Sequence, residues 1–104
     1  MRRENILNRQ QIINYLDSRK GFFQQKYHVR KIALIGSYAR NEQTPQSDVD
    51  ILIDLEESTP DIFDVKRLLQ KELEKEFNRK VEIASERYIK PYYREEILRE
   101  AVYV

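Results

Sequence analysis

Asp48 and Asp50 are the residues whose type and spacing most directly indicate chemistry. They alternate with Val49 at the start of a segment, residues 49–55, whose apolar side chains recur at every second position as in a β-strand. On a strand the two carboxylates point to the same side, about 6–7 Å apart at the backbone. Carboxylates this close repel each other unless a proton or a cation lies between them, and Mg²⁺ prefers such oxygen ligands. The pair predicts a magnesium site, although an isolated Asp-x-Asp is more often a solvated strand face.

Gly36-Ser37 is the second candidate, at the end of the preceding apolar segment, residues 31–36. A glycine after a strand lets backbone amides approach a phosphate, and a serine can donate from both its amide and its hydroxyl. Taken alone, Gly-Ser is an ordinary turn. Ten residues separate Ser37 from Asp48. A phosphate cradle at the end of one strand and a carboxylate pair at the start of its neighbour can therefore face one pocket.

The elements that must position these residues follow an α-β-β-α-β-α order. Helical periodicity predicts three helices. The first covers residues 3–18, with Gly21 as its stop. The second runs from its start at Thr59-Pro60-Asp61 to Asn78, and the third follows Lys90-Pro91. At the second helix start, Thr59 would supply the capping hydroxyl and Pro60 the first helical position. The predicted strands cover residues 31–36, 49–55 and 80–84. So small a sheet needs helices packed on one face.

Composition restricts the class of protein. The chain has 104 residues, 40% hydrophobic and 36% charged, which predicts a single domain over residues 1–104 with a lean core. The absence of cysteine excludes a disulfide scaffold, a thiolate zinc site and a cysteine nucleophile. A net charge of +1 offers no surface for direct nucleic-acid binding. The longest apolar run has four residues, far short of the roughly 20 that span a membrane, so we expect a cytoplasmic protein.

A family resemblance rests on the spacing of these motifs. Gly36-Ser37, ten residues, then Asp48-Val49-Asp50 resembles the signature of the DNA polymerase β-type nucleotidyltransferases. The surrounding text, LIGSYAR and SDVDILI, is similar to the minimal nucleotidyltransferases (MNT proteins) of bacteria and archaea. With the later strand, the resemblance covers roughly residues 32–83, about half of the chain. It implies an α/β (α+β) fold, in which a small mixed β-sheet is backed by helices.

The same resemblance implies a role for each motif residue. Gly36 and Ser37 would hold the nucleotide triphosphate, while Asp48 and Asp50 would bind two Mg²⁺ ions for nucleotidyl transfer. Glu82, between Val81 and Ile83, stands where the family has a third metal-binding carboxylate. The family more often has Asp there, and an ordinary exposed strand Glu is the alternative.

Two further charged residues lie near the motifs. Arg40 follows Ser37 by three residues, where the family often has a basic residue. It would contact phosphate oxygens, and a solvated surface Arg is the alternative. Asp54 shares the acidic strand face with Asp48 and Asp50 but lies further along, so we expect it to be solvated.

The resemblance also implies a partner. Small members of the group are typically encoded beside a HEPN-domain protein, an all-helical ribonuclease toxin, and act as antitoxins that transfer AMP from ATP to a toxin tyrosine. The short chain leaves little room for an acceptor-binding domain, which fits a second protein that supplies the hydroxyl. Two alternatives stay open: an antitoxin that acts by binding alone with a weak or unused site, and a nucleotidyltransferase for a small-molecule hydroxyl with a separate helical subunit.

Overall fold

The structure is a computed structural model that describes residues 6–104. Its helices are α1 (Arg9–Tyr27), α2 (Gly36–Ala39), α3 (Ile62–Phe77) and α4 (Pro91–Glu100). Its strands are β1 (Val29–Ile35), β2 (Val49–Leu55), β3 (Val81–Ser85) and β4 (Val102–Tyr103), and a 3₁₀ turn (Glu86–Tyr88) connects β3 to α4. None of the helices in residues 6–104 has the length and apolar character needed to cross a membrane.

The four strands form one mixed sheet in the order β3-β2-β1-β4. β1 is antiparallel to both β2 and β4, whereas β2 and β3 are parallel. Parallel neighbours need a crossover connection, and α3 supplies it between β2 and β3. The predicted small mixed sheet with helices is therefore confirmed.

Apolar side chains form a core on each face of the sheet. The larger core joins α1 and α3 to one face through residues such as Leu16, Ile51 and Leu73. On the other face, Ala33, Ile35 and Leu52 are covered by apolar residues that include Ile97, Leu98 and Ala101. Helices α1 and α3 pack on one face as predicted, and α4 covers the second face as well, because Leu52 and its neighbours make that face apolar.

The first helix differs from its prediction at both ends. Residues 3–5 of the predicted segment lie outside the described residues, and residues 6–8 are not helical. α1 begins at Arg9 and continues past Ser18 and Gly21 to Tyr27. Gly21 does not stop the helix, because Phe23 and Tyr27 extend the buried stripe beyond it. The helix ends instead at His28, which adopts a left-handed conformation with φ of 60°.

The second predicted helix starts later than its sequence pattern indicates. α3 begins at Ile62, and Asp61, with φ of 50°, precedes it without a side-chain cap. Thr59 does not cap the helix, because its hydroxyl donates to the Glu56 carbonyl at 2.6 Å and closes a turn after β2. The predicted end is confirmed by Asn78, which adopts a left-handed conformation.

The C-terminal region contains the predicted helix and a strand that the sequence did not indicate. β4 has two residues, and it pairs Val102 with Leu34 and Tyr103 with Ala33 of β1. So short a segment shows no periodicity. By pairing with β1, β4 brings the end of α4 to the sheet edge where the motif residues lie.

Candidate active site

The sheet register brings three of the motif segments together. Asp50 lies opposite Ile35 on β1, the residue before Gly36, and opposite Glu82 on β3. The end of β1 and the starts of β2 and β3 therefore meet at one edge of the sheet. Gly36, Asp50 and Glu82 are adjacent although they span 47 positions of the sequence.

Asp50 is the electrostatic centre of this edge. Partial burial, together with the charges of Glu82 and Asp48 and a hydrogen bond with Glu82, raises the pKa of Asp50 from 3.8 to about 6. The nearby Arg40 guanidinium acts in the opposite direction but does not cancel the increase. Glu82 and Asp48 therefore repel the Asp50 carboxylate, in addition to the effect of its burial. A proton or a bound cation would relieve this repulsion.

A cavity opens beside the acidic pair. Its volume is about 240 Å³, and it is lined by Ile35, Asp50, Glu82, Ile83 and Ala84. The two carboxylates therefore share the cavity with the apolar side chains of Ile35, Ile83 and Ala84. In ligand-binding sites of this kind, polar groups orient the ligand and apolar groups cover it.

Lys80 neighbours the acidic pair on the β3 side. Its Nζ lies 3.8 Å from Glu82 Oε1, and both side chains are more than half exposed. Exposure and distance make this a weak ion pair that leaves the Glu82 carboxylate free to reorient.

Gly36 is required at the start of α2 for two reasons. Its φ of 77° is in the left-handed region that favours glycine. A Cβ at this position would overlap Asp50 Oδ2 and lie 3.0 Å from both Cβ and Cγ of Asp50. The backbone of the predicted phosphate cradle therefore touches the predicted metal ligand, which a larger residue would prevent.

The short helix α2 fixes the loop after Gly36. Ser37 is half-buried in its first turn, and the Ser37 carbonyl accepts a hydrogen bond from the Glu42 amide at 2.8 Å. Tyr38 is buried in the larger core and anchors the turn. Ser37 is thereby held beside Gly36 at the edge of the sheet.

Arg40 is engaged by two carboxylates. Its Nε donates to Glu42 Oε1 and its Nη1 donates to Glu100 Oε2, both at 2.9 Å. The pKa of Arg40 is raised by these two hydrogen bonds. Glu100 also accepts a hydrogen bond from the Gly36 amide at 3.1 Å. Sequence reasoning missed Glu100, since one Glu in a charged helix, 64 positions from Gly36, gives no signal.

Asp54 is not solvated, which corrects the sequence expectation. It is buried and pairs with Arg30, whose Nε donates to Asp54 Oδ2 at 2.8 Å. Arg87 approaches the other carboxylate oxygen at 3.6 Å. Alternation placed Asp54 on the correct face of β2, but the arginines came from β1 and the turn after β3, which periodicity does not show. Asp54 is a structural carboxylate, separate from the Asp50 group.

The donor chemistry of Asp48, Asp50 and Glu82 fits Mg²⁺. All three offer the carboxylate oxygens that Mg²⁺ prefers, and the charges of Glu82 and Asp48 add to the effect of burial in raising the pKa of Asp50. Within residues 6–104, no three such side chains converge closely enough to form a closed metal centre as they stand. Asp50 and Glu82 are register partners on β2 and β3, and Asp48 contributes its charge from the residue before β2.

Comparisons with known proteins identify the family of this chain. The family model described as "Nucleotidyltransferase domain" matches residues 16–104. "Putative protein adenylyltransferase MJ1379" of Methanocaldococcus jannaschii is 37% identical over 95 residues, covering 90% of this chain and 95% of the relative. "Protein adenylyltransferase MntA" of Thermococcus cleftensis is 33% identical over 99 residues, covering 95% of this chain and 98% of the relative.

Solved structures give the same fold. "Structure of putative minimal nucleotidyltransferase" superposes with a TM-score of 0.79 and 26% identity, covering 95% of this chain and 98% of that one. "Crystal structure of the toxin-antitoxin with AMP-PNP" contains a chain that matches with a TM-score of 0.65 and 21% identity. That match covers 93% of this chain and 72% of the other, and it supports the fold. From sequence and architecture together, this chain belongs to the nucleotidyltransferase domain family, with the fold of a minimal nucleotidyltransferase.

Proposed function

We propose that this protein is an antitoxin that transfers AMP from ATP to a tyrosine hydroxyl of a partner HEPN ribonuclease toxin encoded nearby. The observation that carries the proposal is the register that places Gly36 against Asp50 and Asp50 against Glu82. Relatives named as protein adenylyltransferases support the reaction class. A toxin–antitoxin structure of the same fold with AMP-PNP supports the nucleotide and the partner.

The carboxylates would hold the metal. Asp48, Asp50 and Glu82 would bind two Mg²⁺ ions, which when bound offset the negative charge that develops on the reacting phosphate. Glu82 is exposed and is the register partner of Asp50 on β3, so its carboxylate would be available as a ligand. Arg40 lies close enough to lower the pKa of Asp50 and would add a positive charge beside the phosphates.

Gly36 and Ser37 would hold the triphosphate. The Gly36 backbone lies against the Asp50 carboxylate, because a Cβ at this position would overlap Asp50 Oδ2. The Ser37 amide and hydroxyl, in the first turn of α2, would donate to phosphate oxygens next to it. The cavity walls Ile35, Ile83 and Ala84 would exclude water on one side of the nucleotide.

The reaction is a displacement at the α-phosphorus of ATP. The phenolic oxygen of the acceptor forms a bond to this phosphorus, and the bond to the oxygen between the α- and β-phosphates breaks. Pyrophosphate leaves with the electron pair of that bond, and the phenolic proton is released to solvent. Each transferred AMP adds bulk and a charge of about −1, which would repel the RNA backbone from a ribonuclease site.

The test combines this protein, the neighbouring gene product and MgATP, followed by mass spectrometry of the intact toxin and its peptides. We expect the toxin to gain the mass of one AMP group per modified tyrosine, and to lose ribonuclease activity. Without added mass, full neutralisation by a variant lacking Asp48 and Asp50 carboxylates would favour an antitoxin that acts by binding alone. An AMP group found on a small-molecule hydroxyl and absent from the toxin would favour the small-molecule enzyme.

A further inference from the structure

Glu100, at the last position of α4, makes an unusual pair of contacts. One carboxylate oxygen accepts from the Gly36 amide at 3.1 Å, and the other accepts from Arg40 Nη1 at 2.9 Å. The Glu100 side chain is only 20% exposed. The two donors are a backbone amide and a guanidinium, the combination that proteins use to hold phosphate groups.

These donors are also the groups that the proposed function assigns to the triphosphate. The Gly36 amide has a single hydrogen, so it does not donate fully to Glu100 and to a phosphate oxygen at the same time. We propose that Glu100 is an internal anion that occupies the phosphate cradle and is displaced when the triphosphate binds, so that it lowers the affinity for nucleotide. This inference rests on the proposed function, because it concerns the same site.

The surroundings of Glu100 allow this exchange. Arg40 has a second partner, Glu42, which holds its Nε at 2.9 Å and keeps the guanidinium beside the site after Glu100 leaves. Glu100 also places a negative charge on Gly36 and Arg40, where it would repel an approaching triphosphate. Loss of the Glu100 charge would therefore free two donors and reduce the repulsion.

The experiment measures the affinity of the full chain for inorganic tripolyphosphate and for MgATP by titration calorimetry. Glu100→Gln removes the charge while keeping the shape, and Glu100→Ala also removes the hydrogen-bond acceptor. We expect both variants to bind the two probes about tenfold more tightly, the value of one charge-assisted hydrogen bond. The gain should shrink as salt rises, because part of it is electrostatic. Adenosine lacks phosphate, so its affinity should not change.

Glu96→Gln is the matched control. Glu96 lies one turn earlier on α4 and is exposed, so this variant removes the same charge from the same helix without touching Gly36 or Arg40. Thermal unfolding of each variant checks that the fold is kept, and Glu100→Gln serves if Glu100→Ala does not fold.

Several results would overturn the inference. Affinities of the Glu100 variants equal to that of Glu96→Gln would show that Glu100 does not compete with phosphate. Weaker binding by the Glu100 variants would show that Glu100 supports Arg40 instead. If tripolyphosphate bound to none of the variants, Gly36 and Arg40 would not form a phosphate-binding site. If the unchanged protein modifies the toxin while the Glu100 variants bind no more tightly, only this inference fails. If the variants gain affinity while no transfer occurs, only the proposed function fails.

Discussion

Asp50 and Asp54 lie on the same strand and the same face, four residues apart, yet their surroundings are opposite. Asp54 is buried and paired with Arg30 and Arg87. Asp50 faces Glu82 and Asp48, and its pKa is raised to about 6. The first arrangement stabilises the fold, whereas the second leaves repulsion that a ligand would relieve. Carboxylates left under-compensated at the open edge of a sheet are therefore the better candidates for function.

The other residues at the two ends of this face show the same contrast. Glu86, beyond β3, is buried, accepts a hydrogen bond from the Tyr103 hydroxyl and lies 3.6 Å from Lys31 Nζ. Glu82, at the start of β3, is exposed, and within residues 6–104 its one counter-ion is the exposed Lys80, with Nζ 3.8 Å away. The acids at the two ends of this face therefore differ in their hydrogen-bond and ion-pair partners rather than in residue type.

The largest predicted effect on AMP transfer should follow removal of the two aspartates at the candidate site. Combining Asp48→Asn with Asp50→Asn should lower AMP transfer at least about a thousandfold, because the metal would lose two of its three carboxylates. The fold should persist, since both side chains are only partly buried. Transfer is measured with labelled ATP and the toxin, and folding by circular dichroism. Full transfer by the double variant would show that the site is elsewhere.

Glu82→Gln tests whether the third carboxylate belongs with the first two. The change removes one charge and keeps the shape, so we expect turnover to fall about ten- to a hundredfold, as for other metal-supporting groups. The free energy of unfolding should change little, because Glu82 is exposed. A steady-state rate assay in saturating MgATP measures turnover. Lys80→Gln is a suitable control, since it removes the neighbouring charge without removing a proposed ligand. Unchanged turnover in Glu82→Gln would return Glu82 to the role of an ordinary strand residue.

Asp54→Asn should lower stability and leave transfer unchanged, the opposite of the variants at Asp48, Asp50 and Glu82. The change removes the charge that two arginines contact in a buried position, which should lower the free energy of unfolding by about 2 kcal/mol. Transfer activity of the folded protein should be retained, because Asp54 lies at the far end of β2 from Asp50. Urea denaturation with the unchanged protein as reference measures the loss. Unaltered stability would mean that the arginine pairs contribute nothing net.

The contrast between Asp50 and Asp54 also shows what the sequence could predict. Alternation along residues 49–55 assigned both acids to one face correctly, and the register then brought Glu82 beside Asp50 as the family resemblance implied. The partners of Asp54 come from Arg30 and Arg87, and such pairings depend on strand order, which a local pattern does not contain. Roles for the motif residues stay predictions until they are measured.

Distant contacts account for the other differences. Gly21 is a poor helix residue by propensity, yet burial of Phe23 and Tyr27 carries α1 through it. Glu100 lies beside Gly36 because α4 packs on the second face of the sheet and β4 pairs with β1 directly after it. Local propensity and periodicity depend only on neighbours within a few residues. The length of α1 and the contact between Glu100 and Gly36 could therefore be seen only in the tertiary structure.

The smallest predicted effect concerns the stability of the site itself. Because the pKa of Asp50 is raised from 3.8 to about 6, its contribution to folding is fully present below pH about 4 and is lost as the pH rises through 6. Asp50→Asn lacks this ionisation. In metal-free buffer at pH 8 the variant should therefore be more stable than the unchanged protein, by about 1 kcal/mol after allowing for solvent screening.

This difference should disappear near pH 4, where Asp50 is protonated and resembles the amide. Urea denaturation at both pH values measures it, with Asp54→Asn as the control that should be destabilised at pH 8. Adding Mg²⁺ at pH 8 should stabilise the unchanged protein more than Asp50→Asn, because a cation that binds the folded state shifts the unfolding equilibrium. A loss of stability in Asp50→Asn at pH 8 would mean that Asp50, like Asp54, is held by favourable partners, and the contrast between the two ends of the strand would no longer hold.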